Sequence, residues 1–296
     1  MAEQMTFLPR SEILSLEELG ILARAFVDRG VTRIRLTGGE PLVRRGAVDL
    51  AHEIGGLLGH GLEELTLTTN GARLAEYSDS LWTAGIRRLN ISLDSRDPSR
   101  FAAITRLGGL SDVLAGIETA RQRGFNIKIN TVALKSINDD ELGEMLSWCC
   151  DQGFDLSLIE TMPLGDVSDD REDRFYPLTE ARAQLENRFT LLPSAHRTGG
   201  PARYWHVAGS QTRLGLISPL TENFCASCNR VRVSASGKLY MCLGHEDHVD
   251  LRAALRSGEA GALDRALDRA MGQKPERHEF NLSTAATRRH MNVTGG

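Results

Sequence analysis

The sequence predicts an α/β fold built on a parallel sheet or barrel, followed by a second, smaller domain. Two observations predict this class. Five short runs of β-forming residues alternate with helical stretches, and glycines such as Gly85 and Gly124 stand where those helices should end. Successive parallel strands need a crossover connection, which a helix supplies, so the alternation favours a parallel arrangement. The 296 residues are enough for one such domain with an appended one.

The individual elements follow in order along the chain. Ser15 and Glu18 form a capping-box pattern, which predicts a first helix that stops at Gly30. The predicted strands cover residues 32–37, 64–69, 88–93, 126–133 and 154–161. Because the chain opens with a loop and a helix instead of a strand, we expect one further strand upstream. A change of composition at Gly165 predicts a domain boundary there, which gives domains of residues 1–165 and 166–296.

The composition excludes several classes of protein. Hydrophobic residues make up 41% of the chain, charged residues 25%, and the net charge is -4. This balance predicts no nucleic-acid partner, since such proteins carry a basic excess. The sequence has neither an apolar run of about 18 residues nor the pattern of a secretory signal, so we expect a cytoplasmic protein without a membrane partner. In a reducing compartment, the five cysteines are better explained as thiols or metal ligands than as disulfides.

One face of the predicted sheet is polar. Arg33 and Arg35 alternate with apolar residues in the first run, as Asn90 does in the third and Lys128 in the fourth. Buried charge is costly unless it is paired, so a barrel with a polar interior needs a bound occupant. The alternative is an antiparallel sheet with one solvated face, which the intervening helices argue against.

Three cysteines form a candidate metal centre. Cys225 and Cys228 are separated by two residues, and Cys242 follows a predicted hairpin that has Gly237 at its turn. Three thiolates can hold three corners of an iron-sulfur cube and leave the fourth iron open to a ligand. His245 completes a Cys3His set, so the spacing alone is equally consistent with structural zinc.

Basic residues follow these cysteines. Arg230 and Arg232 fall on one face of a predicted strand, and with the basic residues of the polar sheet face they could converge on one polyanion. The five cations of this group are Arg33, Arg35, Lys128, Arg230 and Arg232. Guanidinium groups bind phosphate oxygens in pairs, so a triphosphate would suit them. For any one of these residues, the alternative is a solvated surface side chain.

Six segments occur in a characteristic order along the chain: RLTGGEPLVRR, TTNG, LNISLDS, KINTVALKSIND, LIETM and CASCNRVRVSASGKLYMC. Together they resemble the GTP 3′,8-cyclase family of radical S-adenosylmethionine (SAM) enzymes, also called molybdenum cofactor biosynthesis protein A, over the whole chain. The GGEP segment occurs in many radical SAM enzymes, whereas the CxxCNRxR segment with its third cysteine is characteristic of this family. The resemblance implies a partial barrel of six βα units, lacking its first strand in this sequence, and a C-terminal iron-sulfur domain.

The resemblance also implies site residues, although it leaves the catalytic residues unassigned. The residues expected to contact SAM are Gly39, Ser92 and Met162. The residues expected to contact GTP are Arg35, Thr68, Lys128, Arg230, Val231 and Arg232. The residues expected to hold a second [4Fe-4S] cluster are Cys225, Cys228 and Cys242. Ser157 stands where many relatives should carry an arginine.

The implied reaction begins when a first [4Fe-4S] cluster cleaves SAM, and the radical then cyclises GTP to (8S)-3′,8-cyclo-7,8-dihydro-GTP for molybdenum cofactor synthesis. An electron donor and a downstream pterin synthase are the implied partners. The CxxxCxxC motif for the first cluster does not occur in the 296 residues, so we expect full activity only with about 30 to 45 residues added upstream. The alternative is a catalytically silent GTP-binding protein with a Cys3His zinc site. The sequence leaves the oligomeric state open between monomer and homodimer.

Overall fold

A computed structural model describes residues 8–106, 109–165, 171–198, 200–222, 225, 228–278, 280, 287, 289 and 291–294. The strands are β1 (Arg33–Leu36), β2 (Glu64–Thr69), β3 (Arg88–Ser92), β4 (Asn126–Val132), β5 (Asp155–Ile159), β6 (Leu191–Ser194), β7 (Arg203–Val207), β8 (Arg213–Ile217), β9 (Arg232–Val233), β10 (Lys238–Tyr240) and β11 (His248–Asp250). The α-helices are α1 (Leu16–Asp28), α2 (Ala47–Gly55), α3 (Leu74–Thr83), α4 (Pro98–Thr105), α5 (Leu110–Arg123), α6 (Leu142–Gln152), α7 (Arg171–Arg174), α8 (Leu178–Glu186), α9 (Leu251–Arg256), α10 (Ala262–Gly272) and α11 (Met291–Thr294). All five strands predicted from the sequence are confirmed.

The chain forms two compact units. The first unit consists of Met1–Leu65, Pro163–Val167 and Cys225–Gly296, and the second consists of Thr66–Met162 and Ser168–Phe224. Both units are discontinuous in sequence, whereas the predicted domains are continuous and divide at Gly165. The division into domains of residues 1–165 and 166–296 stays a prediction. None of the helices in the described ranges is long and apolar enough to cross a membrane.

The first unit is built around an apolar core that fixes the position of the third cysteine. Helix α1 begins at the predicted capping box, in which Ser15 Oγ accepts the N–H of Glu18 at 3.1 Å and the Glu18 carboxylate accepts the N–H of Ser15 at 2.7 Å. Leu22 of α1 packs in this core with Met241 and with residues of β10, β11, α9 and α10. Because Met241 is buried there, the adjacent Cys242 has little freedom to move.

The predicted hairpin is confirmed in the first unit. Strands β9 and β10 are antiparallel, with Val233 opposite Leu239, and β10 also pairs with β11. Gly237 at the turn has φ +80°, a left-handed conformation that favours glycine. A Cβ atom at Gly237 would lie 2.7 Å from the Cβ of Arg252, so the close approach of α9 also requires glycine.

The second unit contains a mainly parallel sheet. Its strand order is β2-β3-β4-β5-β8-β7-β6, with parallel pairing from β2 to β8 and antiparallel pairing of β7 and β6 at the edge. Apolar residues such as Leu89 and Ile129 are fully buried on one face of the strands. Residues Thr68, Asn90 and Lys128 lie side by side in register on adjacent strands and therefore share the other face. The predicted alternation of apolar and polar faces is confirmed in these strands.

Strands β6, β7 and β8 were not predicted from the sequence. They lie within a region rich in Pro, Gly and Ser, a composition that is typical of loops. The sheet nevertheless extends through β8, which pairs in parallel with β5 through Leu156 opposite Leu214. This pairing joins residues about 58 positions apart, and such a long-range contact has no signature in a local window of sequence.

Candidate active site

Three thiols lie close together in the first unit. The turn that carries Cys225 and Cys228 is closed by a hydrogen bond of 2.9 Å from the Cys228 N–H to the Cys225 carbonyl. Burial raises the pKa of Cys242, and the charges of Cys225 and Cys228 raise it further, so the three sulfurs lie within electrostatic range of one another. All five cysteines belong to the described part of the chain, and each is a thiol and not half of a disulfide.

The sequence left two kinds of metal site open for these donors. Thiolates around one zinc ion, at a Zn–S distance of about 2.3 Å, come within about 4 Å of each other. Around an iron-sulfur cube each thiolate binds its own iron, so the sulfurs stand farther apart. Across the described ranges, no three His, Cys, Asp or Glu side chains are grouped closely enough to hold one metal ion. Three neighbouring thiols, one for each of three irons, fit three corners of an iron-sulfur cube.

His245, the proposed fourth zinc ligand, is engaged elsewhere. Its Nε2 lies 3.1 Å from the backbone carbonyl of Arg277, within hydrogen-bond distance. A ring nitrogen that binds a carbonyl in this way carries the proton and has no lone pair for a metal. Through Nε2, the imidazole of His245 therefore adds no fourth metal ligand to the three thiols.

Positive charge is concentrated beside the thiols. Burial lowers the pKa of Arg232 in β9 to about 10, and the charges of Arg230 and Arg35 lower it while those of Cys228 and Cys242 raise it. These five side chains are therefore near neighbours within the first unit. A buried cation next to like charges is stable only with anionic partners. The neighbourhood suits an anionic ligand in addition to thiolates.

Two other residues near this group have different surroundings. Val231 packs against the apolar core, which leaves its backbone as the part available to a ligand. Arg33 has a side chain that is 54% exposed, and its Nε lies 3.9 Å from Glu64 Oε2. Arg33 is thus a solvated surface side chain, and it does not belong to the half-buried cation group of Arg35, Arg230 and Arg232.

The turn after β1 leaves its backbone accessible. A Cβ atom at Gly38, where φ is +151°, would meet no atom within 4 Å, and Gly39 is exposed. The Glu40 carboxylate accepts the N–H of Leu42 at 3.0 Å and begins a helical turn, Pro41–Val43. The segment is therefore a tight turn whose glycines remain open, at the strand end where parallel α/β folds bind ligands.

Buried polar atoms line the polar sheet face of the second unit. Thr68 and Lys128 are 9% and 8% exposed, respectively. The buried atoms Asn90 Oδ1, Asn130 Oδ1 and Ser157 Oγ have no hydrogen-bond partner among the described residues. A buried polar atom without a partner costs about 1 to 3 kcal/mol, so a polar ligand that supplied the missing hydrogen bonds would be stabilised here.

Comparison with known proteins shows the family to which the chain belongs. The family model described as Radical SAM superfamily matches residues 2–149, and the model described as Molybdenum Cofactor Synthesis C matches residues 154–280. A curated protein of Erythrobacter litoralis named GTP 3′,8-cyclase is 55% identical, with 100% of this chain and 90% of the relative covered. A protein of the same name from Rhizobium meliloti is 52% identical over 100% of this chain and 86% of the relative. The chain belongs to the GTP 3′,8-cyclase family.

A solved structure supports the fold of this family member. SuiB of Streptococcus suis bound to S-adenosylmethionine superimposes with a TM-score of 0.56 at 14% identity, covering 80% of this chain and 56% of SuiB. The predicted α/β partial barrel of radical SAM type is therefore confirmed. Membership of a radical SAM family implies a [4Fe-4S] cluster and SAM as cofactors.

In this member of the GTP 3′,8-cyclase family, the second unit also contains two residues predicted to contact SAM. Ser92 is exposed at the last position of β3, and Met162 is half-buried three residues after β5. Thr161, beside Met162, has a buried Oγ1 with no hydrogen-bond partner in the described ranges. These strand ends therefore offer polar atoms to a ligand, as the carboxyl ends of parallel strands commonly do.

Ser157, which replaces an expected arginine, lies in a tightly packed position. The side chain is fully buried, and a Cβ built at the neighbouring Gly215 would lie 2.9 Å from Ser157 Oγ and 2.9 Å from Tyr204 Cε1. Glycine at position 215 therefore leaves room for the Ser157 hydroxyl. In this family member, a buried serine thus occupies the position where an arginine was expected.

Glu160, in the LIETM segment, connects three parts of the second unit, a role that was not predicted from the sequence. The carboxylate is fully buried and accepts backbone N–H groups of Leu178 at 3.3 Å, Leu220 at 3.2 Å and Thr221 at 3.3 Å. It also accepts the hydroxyl of Thr221 at 2.5 Å. Glu160 therefore joins the end of β5 to the loop after β8 and to the start of α8. The local sequence indicates this role only through the position of an acidic residue directly after an apolar strand.

Asp94, two residues after β3, allows the effect of burial on a carboxyl group to be tested. Its Oδ1 accepts the N–H of Val132 at 2.8 Å, and burial raises the pKa of its carboxyl to about 6 from the model-peptide value of 3.8. Between about pH 4 and 6 the Asp94 carboxyl keeps its proton in the folded state and loses it in the unfolded state. The stabilisation from this protonated carboxyl is therefore complete below about pH 4 and is lost as the pH rises through 6. Relative to Asp94→Asn, the protein should lose about 2 kcal/mol of unfolding free energy between pH 4 and 7.

Urea unfolding at several pH values measures this difference between the two proteins. Asp112→Asn, which removes a carboxylate from an exposed position in the first turn of α5, is the matched control. A pH-independent difference for Asp94→Asn would show that Asp94 ionises normally in the folded state.

Proposed function

We propose that this protein is a GTP 3′,8-cyclase, a lyase that uses SAM to cyclise GTP to (8S)-3′,8-cyclo-7,8-dihydro-GTP in molybdenum cofactor biosynthesis. The observation that carries the proposal is the half-buried cation group next to the thiols of the first unit, formed by Arg35, Arg230 and Arg232. Guanidinium groups bind phosphate oxygens bidentately, so the group suits a triphosphate. The two full-length relatives with this name support the same activity.

The proposed roles follow the resemblance residue by residue. The proposed GTP-binding residues are Arg35, Thr68, Lys128, Arg230, Val231 and Arg232. The proposed SAM-binding residues are Gly39, Ser92 and Met162. The proposed ligands of one [4Fe-4S] cluster are Cys225, Cys228 and Cys242. Ligands of a SAM-binding cluster are not assigned, because the 296 residues contain no CxxxCxxC motif.

The residues of the chain bind and orient the substrate. A bound [4Fe-4S] cluster and SAM supply the radical chemistry. The arginines of the first unit neutralise the charge of the phosphates, and the cluster thiols beside them are held by the hairpin and its core. On the polar face of the second unit, Thr68, Asn90 and Lys128 supply hydrogen-bonding groups that little water reaches. Excluding water favours such a reaction because it suppresses the side reactions of a radical.

The proposed reaction also implies partners and a cellular location for the protein. Reduction of the cofactor requires an electron donor, and the cyclic product requires a downstream pterin synthase, so we include both as partners. A cytoplasmic location keeps the thiols reduced and available to iron. A catalytically silent GTP-binding protein with zinc is the second candidate, and the full-length relatives named GTP 3′,8-cyclase favour the enzyme over it.

The first test is GTP binding by Arg230→Ala. Loss of a charge-assisted phosphate contact should weaken binding by about 1 to 3 kcal/mol, which corresponds to roughly 5- to 150-fold in Kd. Isothermal titration calorimetry on the anaerobically reconstituted protein measures this change. Arg33→Ala removes the same charge from the exposed position on β1 and should leave Kd within about twofold. Unchanged affinity for Arg230→Ala, or an equal loss for Arg33→Ala, would contradict the assignment.

A further inference from the structure

Lys274 connects the two chain segments that carry two of the proposed cluster ligands. It lies two residues beyond the end of α10, and its Nζ donates hydrogen bonds to the carbonyls of Arg230 at 2.9 Å and Met241 at 2.8 Å. Arg230 follows Cys228 by two residues, and Met241 immediately precedes Cys242. One ammonium group therefore fixes the distance between the backbone beside Cys228 and the backbone beside Cys242.

The same ammonium acts electrostatically on both thiols. Its Nζ is bonded to the carbonyl of Arg230, two residues after Cys228, and to the carbonyl of Met241, next to Cys242, so its positive charge lies close to both cysteines. Lys274 is only partly accessible, so its field is screened less than that of a surface lysine. A permanent positive charge thus lies near two thiolates that would bind iron.

The two bonds and the charge have separable consequences. An ammonium has three donors on one compact atom, so it can bind two carbonyls that converge on it. A positive charge next to a cluster favours the state with one more electron, because hydrogen bonding and net charge around the sulfurs set the reduction potential. The first property affects how firmly iron is held, and the second affects how easily the cluster is reduced.

We propose that Lys274 is a positioning residue for the iron-sulfur cluster, which holds the Cys228 and Cys242 segments together and raises the reduction potential of the cluster. The proposal rests on the proposed function, since it assumes ligation by Cys225, Cys228 and Cys242. It adds a residue outside the cysteine motif, 32 positions after Cys242, to the machinery of the metal centre.

The test compares Lys274→Met, Lys274→Gln and Lys274→Arg after anaerobic reconstitution of iron and sulfide. Iron loss to EDTA is followed over time, and the reduction potential is measured by redox titration with electron paramagnetic resonance. Lys274→Met should lose iron at least tenfold faster. Its potential should fall by an amount equivalent to roughly a tenfold change in equilibrium constant, about 59 mV for one electron. Lys274→Gln, which keeps a donor but not the charge, should show the lower potential with a smaller effect on iron loss.

Lys274→Arg keeps the charge but not the compact donor, so its potential should stay near that of the unsubstituted protein while iron is lost faster. Lys238→Met removes a lysine from β10, four residues before Cys242, and should match the unsubstituted protein in both measurements. Unchanged iron loss and potential in Lys274→Met would overturn the proposal. If circular dichroism shows that Lys274→Met does not fold, the same two measurements on Lys274→Gln and Lys274→Arg decide the matter, and unchanged values in both would overturn it.

A further variant separates this proposal from the function on which it rests. Cys242→Ser should lose most of its iron after reconstitution, because a cluster ligand is missing. If Cys242→Ser keeps its iron, the proposed cluster ligands are wrong. If Cys242→Ser loses iron but Lys274→Met behaves as the unsubstituted protein does, the ligands stand and only the role of Lys274 fails.

Discussion

Replacing Glu160 by alanine should lower the free energy of unfolding by about 3 to 5 kcal/mol, the largest effect on stability that we expect. The substitution leaves three backbone N–H groups without an acceptor, the buried one of Leu178 and the partly buried ones of Leu220 and Thr221. Each such group costs about 1 to 3 kcal/mol, and water that enters the space left by the side chain should recover part of the total. Urea unfolding at pH 7 measures the change.

Two variants make the interpretation of Glu160 specific. Glu160→Gln keeps the shape and one acceptor oxygen, so it should be destabilised less than Glu160→Ala. Glu186→Ala removes a carboxylate from an exposed position on α8, where it lies 3.4 Å from Arg182, and should change stability by no more than about 0.5 kcal/mol. Equal stability of Glu160→Ala and Glu186→Ala would show that the four hydrogen bonds of Glu160 do not join the second unit as we describe.

Replacing Arg232 by methionine should have opposite effects on binding and on stability. Binding of GTP should weaken by about 1 to 3 kcal/mol, because a desolvated guanidinium would no longer meet the phosphates. The protein without its cluster should gain about 1 to 3 kcal/mol of unfolding free energy, because burial and the charges of Arg230 and Arg35 disfavour a cation at this position. Such opposition between stability and activity is common where a binding site stores unfavourable charge.

Calorimetry with GTP and urea unfolding of the iron-depleted, reduced protein give the two values. Arg33→Met is the matched control, since it removes an arginine from the same unit at a position that is 54% exposed, and it should change neither value by more than about 0.5 kcal/mol. Lower stability with unchanged GTP affinity in Arg232→Met would identify Arg232 as a structural residue and would remove it from the proposed site.

The order of the elements and the identity of the candidate ligands were accessible from the sequence. The five runs that become β1 to β5 alternate over short windows, and the capping box at Ser15 and Glu18 involves residues three positions apart. The motif of Cys225 and Cys228 and the turn at Gly237 are equally local. These features are determined by covalent geometry, side-chain periodicity and neighbouring hydrogen bonds, all of which act within a few residues.

Tertiary structure decided which of these residues act together. Arg33 and Arg35 are equivalent in the sequence pattern, yet Arg33 is exposed beside Glu64 and Arg35 lies within range of Arg232. Glu160 receives its donors from residues up to 61 positions away, and Lys274 reaches carbonyls 44 and 33 positions before it. Burial and long-range hydrogen bonding depend on which segments the folded chain brings together. Local sequence therefore determined the chemical groups of the site, and packing determined their charge environment and their partners.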